Sequence, residues 1–182
     1  MKIDGYSLND APFSDNFVIQ FPFPNKERKK LLEALTSIDD LILFKQIENA
    51  RDSVLEQEIA LKLEPMGYFY SENHPEKCQL WLPDYGHEAD FYNPIKKISI
   101  EVEKTEVKRV VHDVLKLVNG SMTFVPRVRY GVLIIPDRYV RSSGKDSPFF
   151  SIVKRQIPFY FQKIIPENCH LHDVLILVYH ID

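Results

Sequence analysis

The run YGVLIIP (Tyr130–Pro136) constrains the fold of this chain more than any other segment, because almost nothing in it is polar. A strand that is apolar on both sides has to be covered on both sides, as the parallel strands of α/β proteins are by their helices. The preceding stretch, TEVKRVVHDVLKLVNG, supplies one cover. Its Val107, Val110, Val111, Val114, Leu117 and Val118 form a single apolar stripe at helical spacing, and Asn119-Gly120 predicts the helix end. After YGVLIIP comes a basic loop, DRYVRSSGKDS, then a helix over residues 149–163, and the strand DVLILVYHI closes the chain.

Upstream the signals are shorter. Residues 1–25 hold five Phe or Tyr among turn formers and read as an irregular arm packed on the domain. Asn25 is placed to cap a basic helix, KERKKLLEALTS. A longer helix is expected over residues 44–64, stopping at Pro65 with Gly67 beyond. Residues 68–71, 79–82 and 87–92 read as short strands, and Asn93-Pro94 turns the chain into a strand over 96–103. The order is α, β-meander, α, β, α, β, which predicts an α/β fold: a mixed sheet with helices on both faces. At 182 residues one domain is expected, spanning residues 1–182.

Several classes are excluded on composition. No apolar run approaches the ~20 residues of a membrane helix, and the start, MKIDGYSLND, has no apolar signal-peptide core, so a cytoplasmic location without a membrane partner is expected. Cys78 and Cys169 are too few and too isolated for a disulfide framework or a zinc site, and CHLHD (residues 169–173) reads as a connector. No P-loop, dinucleotide fingerprint or nucleophile elbow is present. The net charge of −3 hides an asymmetry: residues 1–103 carry −8, residues 104–163 carry +8, and the remaining tail −3. Such a split suits an acidic site beside a basic, polyanion-binding surface, and equally two halves that neutralise each other.

The strand ISIEVE holds the candidate chemistry. Alternation sends Ile98, Ile100 and Val102 to one face and puts Glu101 and Glu103 about 7 Å apart on the other. Two carboxylates gathered in a partly buried place need a cation between them, either a metal or basic side chains. A hairpin of this length brings Asp90 beside Glu101, since paired strands lie about 4.8 Å apart. Hard oxygen donors of this kind suit Mg²⁺, which keeps several waters. Glu56 on the long helix is a fourth carboxylate, with Glu58 its alternative by helix rotation; His87 near a strand end reads as structural.

Asp90, ten intervening residues, then Glu101-Val102-Glu103 resembles the motif of the PD-(D/E)XK nuclease superfamily, over roughly residues 53–178. LEQEIALKLEPMGY is similar to the first helix of archaeal Holliday-junction resolvases in that superfamily. The usual lysine falls at position 103, where glutamate stands, and Lys104 comes one residue later; this E-x-E variant resembles BamHI/BglII-type restriction endonucleases. The resemblance implies a restriction-endonuclease-like core and a Mg²⁺-dependent DNA endonuclease, with Mn²⁺ a substitute. It implies that Asp90, Glu101 and the Val102 carbonyl hold the metal. Glu103 would orient or deprotonate the attacking water or bind a second metal, Lys104 would take that role if the strand bulges, and Glu56 would assist. Arg138, Arg141, Lys145 and Lys108 are the residues expected on DNA. The same likeness implies a homodimer on a short palindromic duplex site, and a cognate methyltransferase. Two other classes fit these residues: a repair or junction-resolving nuclease with the same site, and a non-catalytic interaction domain whose carboxylates serve only ion pairs.

Overall fold

A computed structural model describes residues 1–13, 21–48, 53–80, 88–122, 127–140, 146–161 and 169–181. Its centre is the pair of apolar runs: β5 (Tyr130–Pro136) lies parallel to β8 (Asp173–Tyr179) through seven paired residues. β4 (Ile98–Val102) adds in parallel on the far side of β5, with Val102 opposite Ile134. β3 (Phe91–Asn93) and β2 (Phe69–Tyr70) extend that edge as antiparallel strands. The other edge is β1 (Ile3–Ser7), antiparallel to β8, so the order is β1-β8-β5-β4-β3-β2. A separate ribbon, β6 (Tyr139–Val140) with β7 (Asp146–Ser147), leads to the last helix.

Strand alternation divides the core into two layers. Ile98, Ile100 and Val102, with Val132, Ile134, Leu175 and Leu177, face α1 (Asn25–Thr36), α2 (Asp40–Glu48) and α3 (Val54–Leu63). Leu133, Ile135, Val174 and Ile176 face α5 (Arg109–Ser121) and α6 (Phe149–Phe159) on the opposite side. Close packing of α5 on the sheet requires Gly131 in β5: a Cβ there would stand 2.5 Å from a Leu117 methyl. This is the mixed sheet flanked by helices that the apolar runs predict. Among the described residues, no helix is long and apolar enough to cross a membrane.

The short-range expectations fared less well. Residues 1–25 are not an irregular arm throughout, because Ile3–Ser7 finds hydrogen-bonding partners on β8. Asn25 does not cap: Pro24 holds the cap position, and its carbonyl accepts from the Glu27 and Arg28 amides. The single helix over 44–64 is replaced by α2 and α3, with Ser53 outside helical geometry at the start of α3. Residues 79–80 form no strand; they follow the short helix α4 (Pro75–Cys78), while residues 81–87 fall outside the described residues. The helix after β4 begins at Arg109 rather than Thr105 and runs through Gly120 to Ser121.

The N-terminal region is tied to the sheet by one buried carboxylate. Asp173, 2% exposed, accepts from the Ser7 hydroxyl at 2.6 Å and from the backbone amides of Leu8, Phe23 and Val174 at 3.2, 2.8 and 2.7 Å. Removing the acceptor strands buried donors, each worth ~1–3 kcal/mol. Asp173→Ala is therefore expected to lower unfolding stability in urea by about 3 kcal/mol or more, with Asp173→Asn milder; a loss below about 1 kcal/mol would contradict the role assigned to Asp173.

Candidate active site

The carboxyl end of β4 opens into a pocket of about 460 Å³ lined by Ser53, Glu56, Asp90, Val102, Glu103, Lys104, Thr105, Arg109, Asp113 and Lys116. Its construction follows from the alternation of β4. Glu101 points to the α5 side, where it is 1% exposed and meets Lys116 Nζ at 2.5 Å. Lys104, on the opposite parity, turns to the α3 side and pairs with Glu56 Oε1 at 2.5 Å. Asp90 stands one step beyond the Phe91–Ile100 pair, across from Glu101, and its Oδ2 accepts from the Val102 amide at 2.6 Å. The hairpin geometry read from the sequence thus holds, and Glu56 joins the same pocket.

Glu103 lines the pocket and is engaged with the backbone of the turn that follows β4. Its Oε1 accepts from the backbone amides of Lys104, Thr105 and Glu106 at 2.9, 2.8 and 3.0 Å, and Oε2 lies 3.3 Å from Arg109 Nε. The side chain organises the turn that leads from β4 into α5, in the manner of a cap. Asp113 and Lys116 were missed in the sequence reading. Both sit on the inward side of α5, and Asp113 Oδ1 is 3.8 Å from Lys116 Nζ. A signal for them exists: Asp113 falls three residues after Val110 and four before Leu117, inside the apolar stripe.

The electrostatics are unbalanced. With every carboxylate ionised and His112, 3.9 Å from Asp113, neutral, Glu56, Asp90, Glu101, Glu103 and Asp113 face Lys104, Arg109 and Lys116 among the described residues of the site, leaving two negative charges in excess. Burial, then repulsion from Asp90, drives the Glu101 carboxyl well above the ordinary carboxylate range. Burial also raises Asp90, partly offset by Lys116 and the Val102 amide, and raises Glu56 against the pull of Lys104. Asp113 is pushed up to about 7, again chiefly by burial. Burial alone would lower Lys116, yet the Glu101 and Asp90 carboxylates outweigh it and hold the ammonium above its usual value. Glu56 Oε2 and Glu101 Oε1 are buried without a hydrogen-bond partner among the described residues.

These features fit a hard divalent cation, which takes oxygen donors and few protein carboxylates. Orphaned buried carboxylate oxygens and an excess of negative charge are what such an ion would satisfy. Among the described residues no three His, Cys, Asp or Glu side chains already converge on one point, so an ion would have to draw its ligands together. Of the residues expected on DNA, Lys108 is exposed at the start of α5, 3.4 Å from Glu106. Arg138 is occupied, donating from Nε and Nη2 to the Ile181 carbonyl and pairing with Asp146 at 3.0 Å. Arg141, Lys145 and His87 lie outside the described residues.

Residues 24–179 match the family described as "Putative halobacteria restriction endonuclease". No curated protein sequence matches. The fold is similar to that of the restriction endonuclease BglII, crystallised in complex with a DNA 16-mer, with a TM-score of 0.63 at 11% identity. That superposition covers 100% of this chain and 78% of BglII.

The raised Asp113 gives a test of the site's electrostatics in metal-free protein. Above about pH 4 the unfolded chain loses this proton, while the folded chain keeps it until about 7. The folded state then binds more protons, so this carboxyl lowers stability progressively as pH rises through that window. Asp113→Asn should lose less stability than wild type between pH 5 and pH 8, measured by urea unfolding in chelator. An unchanged slope would place the Asp113 carboxyl near its ordinary value.

Proposed function

Since the chain belongs to the family described as "Putative halobacteria restriction endonuclease", matched over residues 24–179, we propose that it is a Mg²⁺-dependent DNA endonuclease of the type II restriction class, cutting a short palindromic duplex site. The observation that carries this reading is the pair Asp90 and Glu101 at the carboxyl end of β4, with Glu101 Oε1 buried and unpartnered. Crevices outside the carboxyl ends of parallel strands are where open α/β sheets bind their ligands. Asp90 and Glu101, with the Val102 carbonyl, would hold the ion, and Mn²⁺ would substitute for Mg²⁺. A bound ion of this kind activates water and neutralises charge on the phosphodiester.

The chain's own residues divide the remaining work. Glu103 spends one oxygen on three backbone amides and sets the other beside Arg109, which suits a positioning residue better than a proton acceptor. Lys104, held at the pocket by Glu56, would meet a phosphate oxygen or orient water there. Lys108, exposed at the start of α5, would contribute phosphate contacts with Arg141 and Lys145, so DNA affinity should fall steeply with salt. BglII was crystallised in complex with a DNA 16-mer, and double-stranded DNA is the partner proposed here. Cutting both strands of a palindrome calls for two sites related by a two-fold axis, hence a homodimer. A cognate methyltransferase would accompany the restriction role.

Plasmid DNA incubated with the protein and Mg²⁺ separates the readings. Discrete fragments support a restriction enzyme, nicks confined to branched DNA a junction or repair nuclease, and intact plasmid a non-catalytic domain. Glu101→Ala and Asp90→Ala are expected to abolish cleavage while leaving DNA binding intact or tighter; full cleavage by Glu101→Ala would remove the metal site.

A second series separates Glu103 from Lys104. Glu103→Gln keeps an acceptor for the three amides and should cost less than about tenfold in rate, whereas Lys104→Ala should cost about a hundredfold or more. The reverse ranking would return Glu103 to the role of proton acceptor. Sedimentation with and without duplex DNA tests the dimer, and a particle of one chain mass in both conditions would contradict it.

A further inference from the structure

We propose that Lys116 is a resident counter-ion for Glu101 that a divalent cation displaces toward Asp113, so that α5 carries a latch on the metal site. The inference rests on the nuclease reading above and extends it to two residues that reading does not use. Three observations carry it. Lys116 Nζ sits 2.5 Å from Glu101 Oε2, on the same carboxylate whose other oxygen is buried without a partner. Asp113 lies one helical turn back on α5, and its Oδ1 is 3.8 Å from the same ammonium, beyond hydrogen-bond length but within one rotamer change of it. Lys116 lines the pocket with its side chain 13% exposed, so the ammonium has little water to retreat into and a second carboxylate close at hand.

The physical argument is competition. An ammonium and a dication on one buried carboxylate repel each other in a medium that screens poorly. Lys has a flexible four-carbon stem and rotatable donors, so it can exchange one acceptor for another without moving the helix. Asp113 is the acceptor that the sequence of α5 supplies, three residues before Lys116. Lys116 and the ion are then alternative ligands of Glu101, and each must weaken the other by the same factor. The latch would keep the buried Glu101 neutralised before metal arrives and would make Asp113 a determinant of metal affinity without its touching the metal.

The test is calorimetric titration of the chelator-stripped full chain with MnCl₂, without DNA, at a single pH of about 8. Wild type, Lys116→Met, Asp113→Asn and the double variant form a cycle, with Lys116→Gln as a second charge-removing variant and circular dichroism as the check of folding. Removing the competitor should tighten Mn²⁺ binding by about tenfold or more. Asp113→Asn should weaken binding when Lys116 is present and change it by no more than about twofold when Lys116 is Met or Gln. Unchanged or weaker binding by both Lys116 variants would overturn the latch, since Lys116 would then support the bound ion instead of competing with it. An equal effect of Asp113→Asn in both backgrounds would overturn it too, leaving Asp113 as a general negative charge. Absence of Mn²⁺ binding in wild type and in every variant would overturn the metal-site reading itself, and the latch with it.

Discussion

A carboxylate inside a strand that is covered on both faces is the constraint from which the rest of this site follows. Glu101 belongs to β4, all of whose residues are buried, and nothing in the strand itself can compensate its charge. Taking a carboxylate out of water costs several kcal/mol unless a partner offsets it. Lys116 offsets part of that cost through one oxygen, while the other has no partner among the described residues. Asp90, directed to the same strand end by the β3–β4 register, adds a second carboxylate where the first is already poorly neutralised. Such an arrangement is expensive for stability and fits a place where a dication is received.

Alternation along four consecutive residues distributes the other parts. Glu101 and Glu103 go to the α5 layer, where Lys116 and Arg109 meet them. Val102 goes to the apolar layer beneath α3, and Lys104 follows that parity to reach Glu56. No bulge is needed to bring Lys104 to the pocket, because the strand ends at Val102 and the turn after it is shaped by the Glu103 side chain. An acidic residue at position 103 and a lysine at 104 are then complementary: one builds the turn, and the other is presented by it.

The parts legible in the sequence are those whose signal is local and dense. YGVLIIP and DVLILVYHI announce buried neighbouring strands, and the α5 stripe announces a covering helix. The Asp90–Glu101 spacing was legible because a short hairpin leaves few registers open. β1 was not, since IDGYS contains a glycine and two polar residues and becomes a strand only by pairing with β8, more than 160 residues away. The break between α2 and α3 was hidden because apolar positions continue at loosely helical spacing on both sides of it. Asp113 and Lys116 are hard to single out because the valines around them dominate the stripe. A charged residue at a stripe position is the feature that would have pointed to them.

On the proposed function, the end of β4 is an electrostatically incomplete site that a divalent cation would complete. Anomalous diffraction from crystals soaked in Mn²⁺ tests that most directly. The predicted result is a single strong anomalous peak within coordinating distance of both Asp90 and Glu101, with the Lys116 ammonium moved from Glu101 to Asp113. Empty density between the two carboxylates, with Lys116 still seated on Glu101 at saturating Mn²⁺, would contradict it.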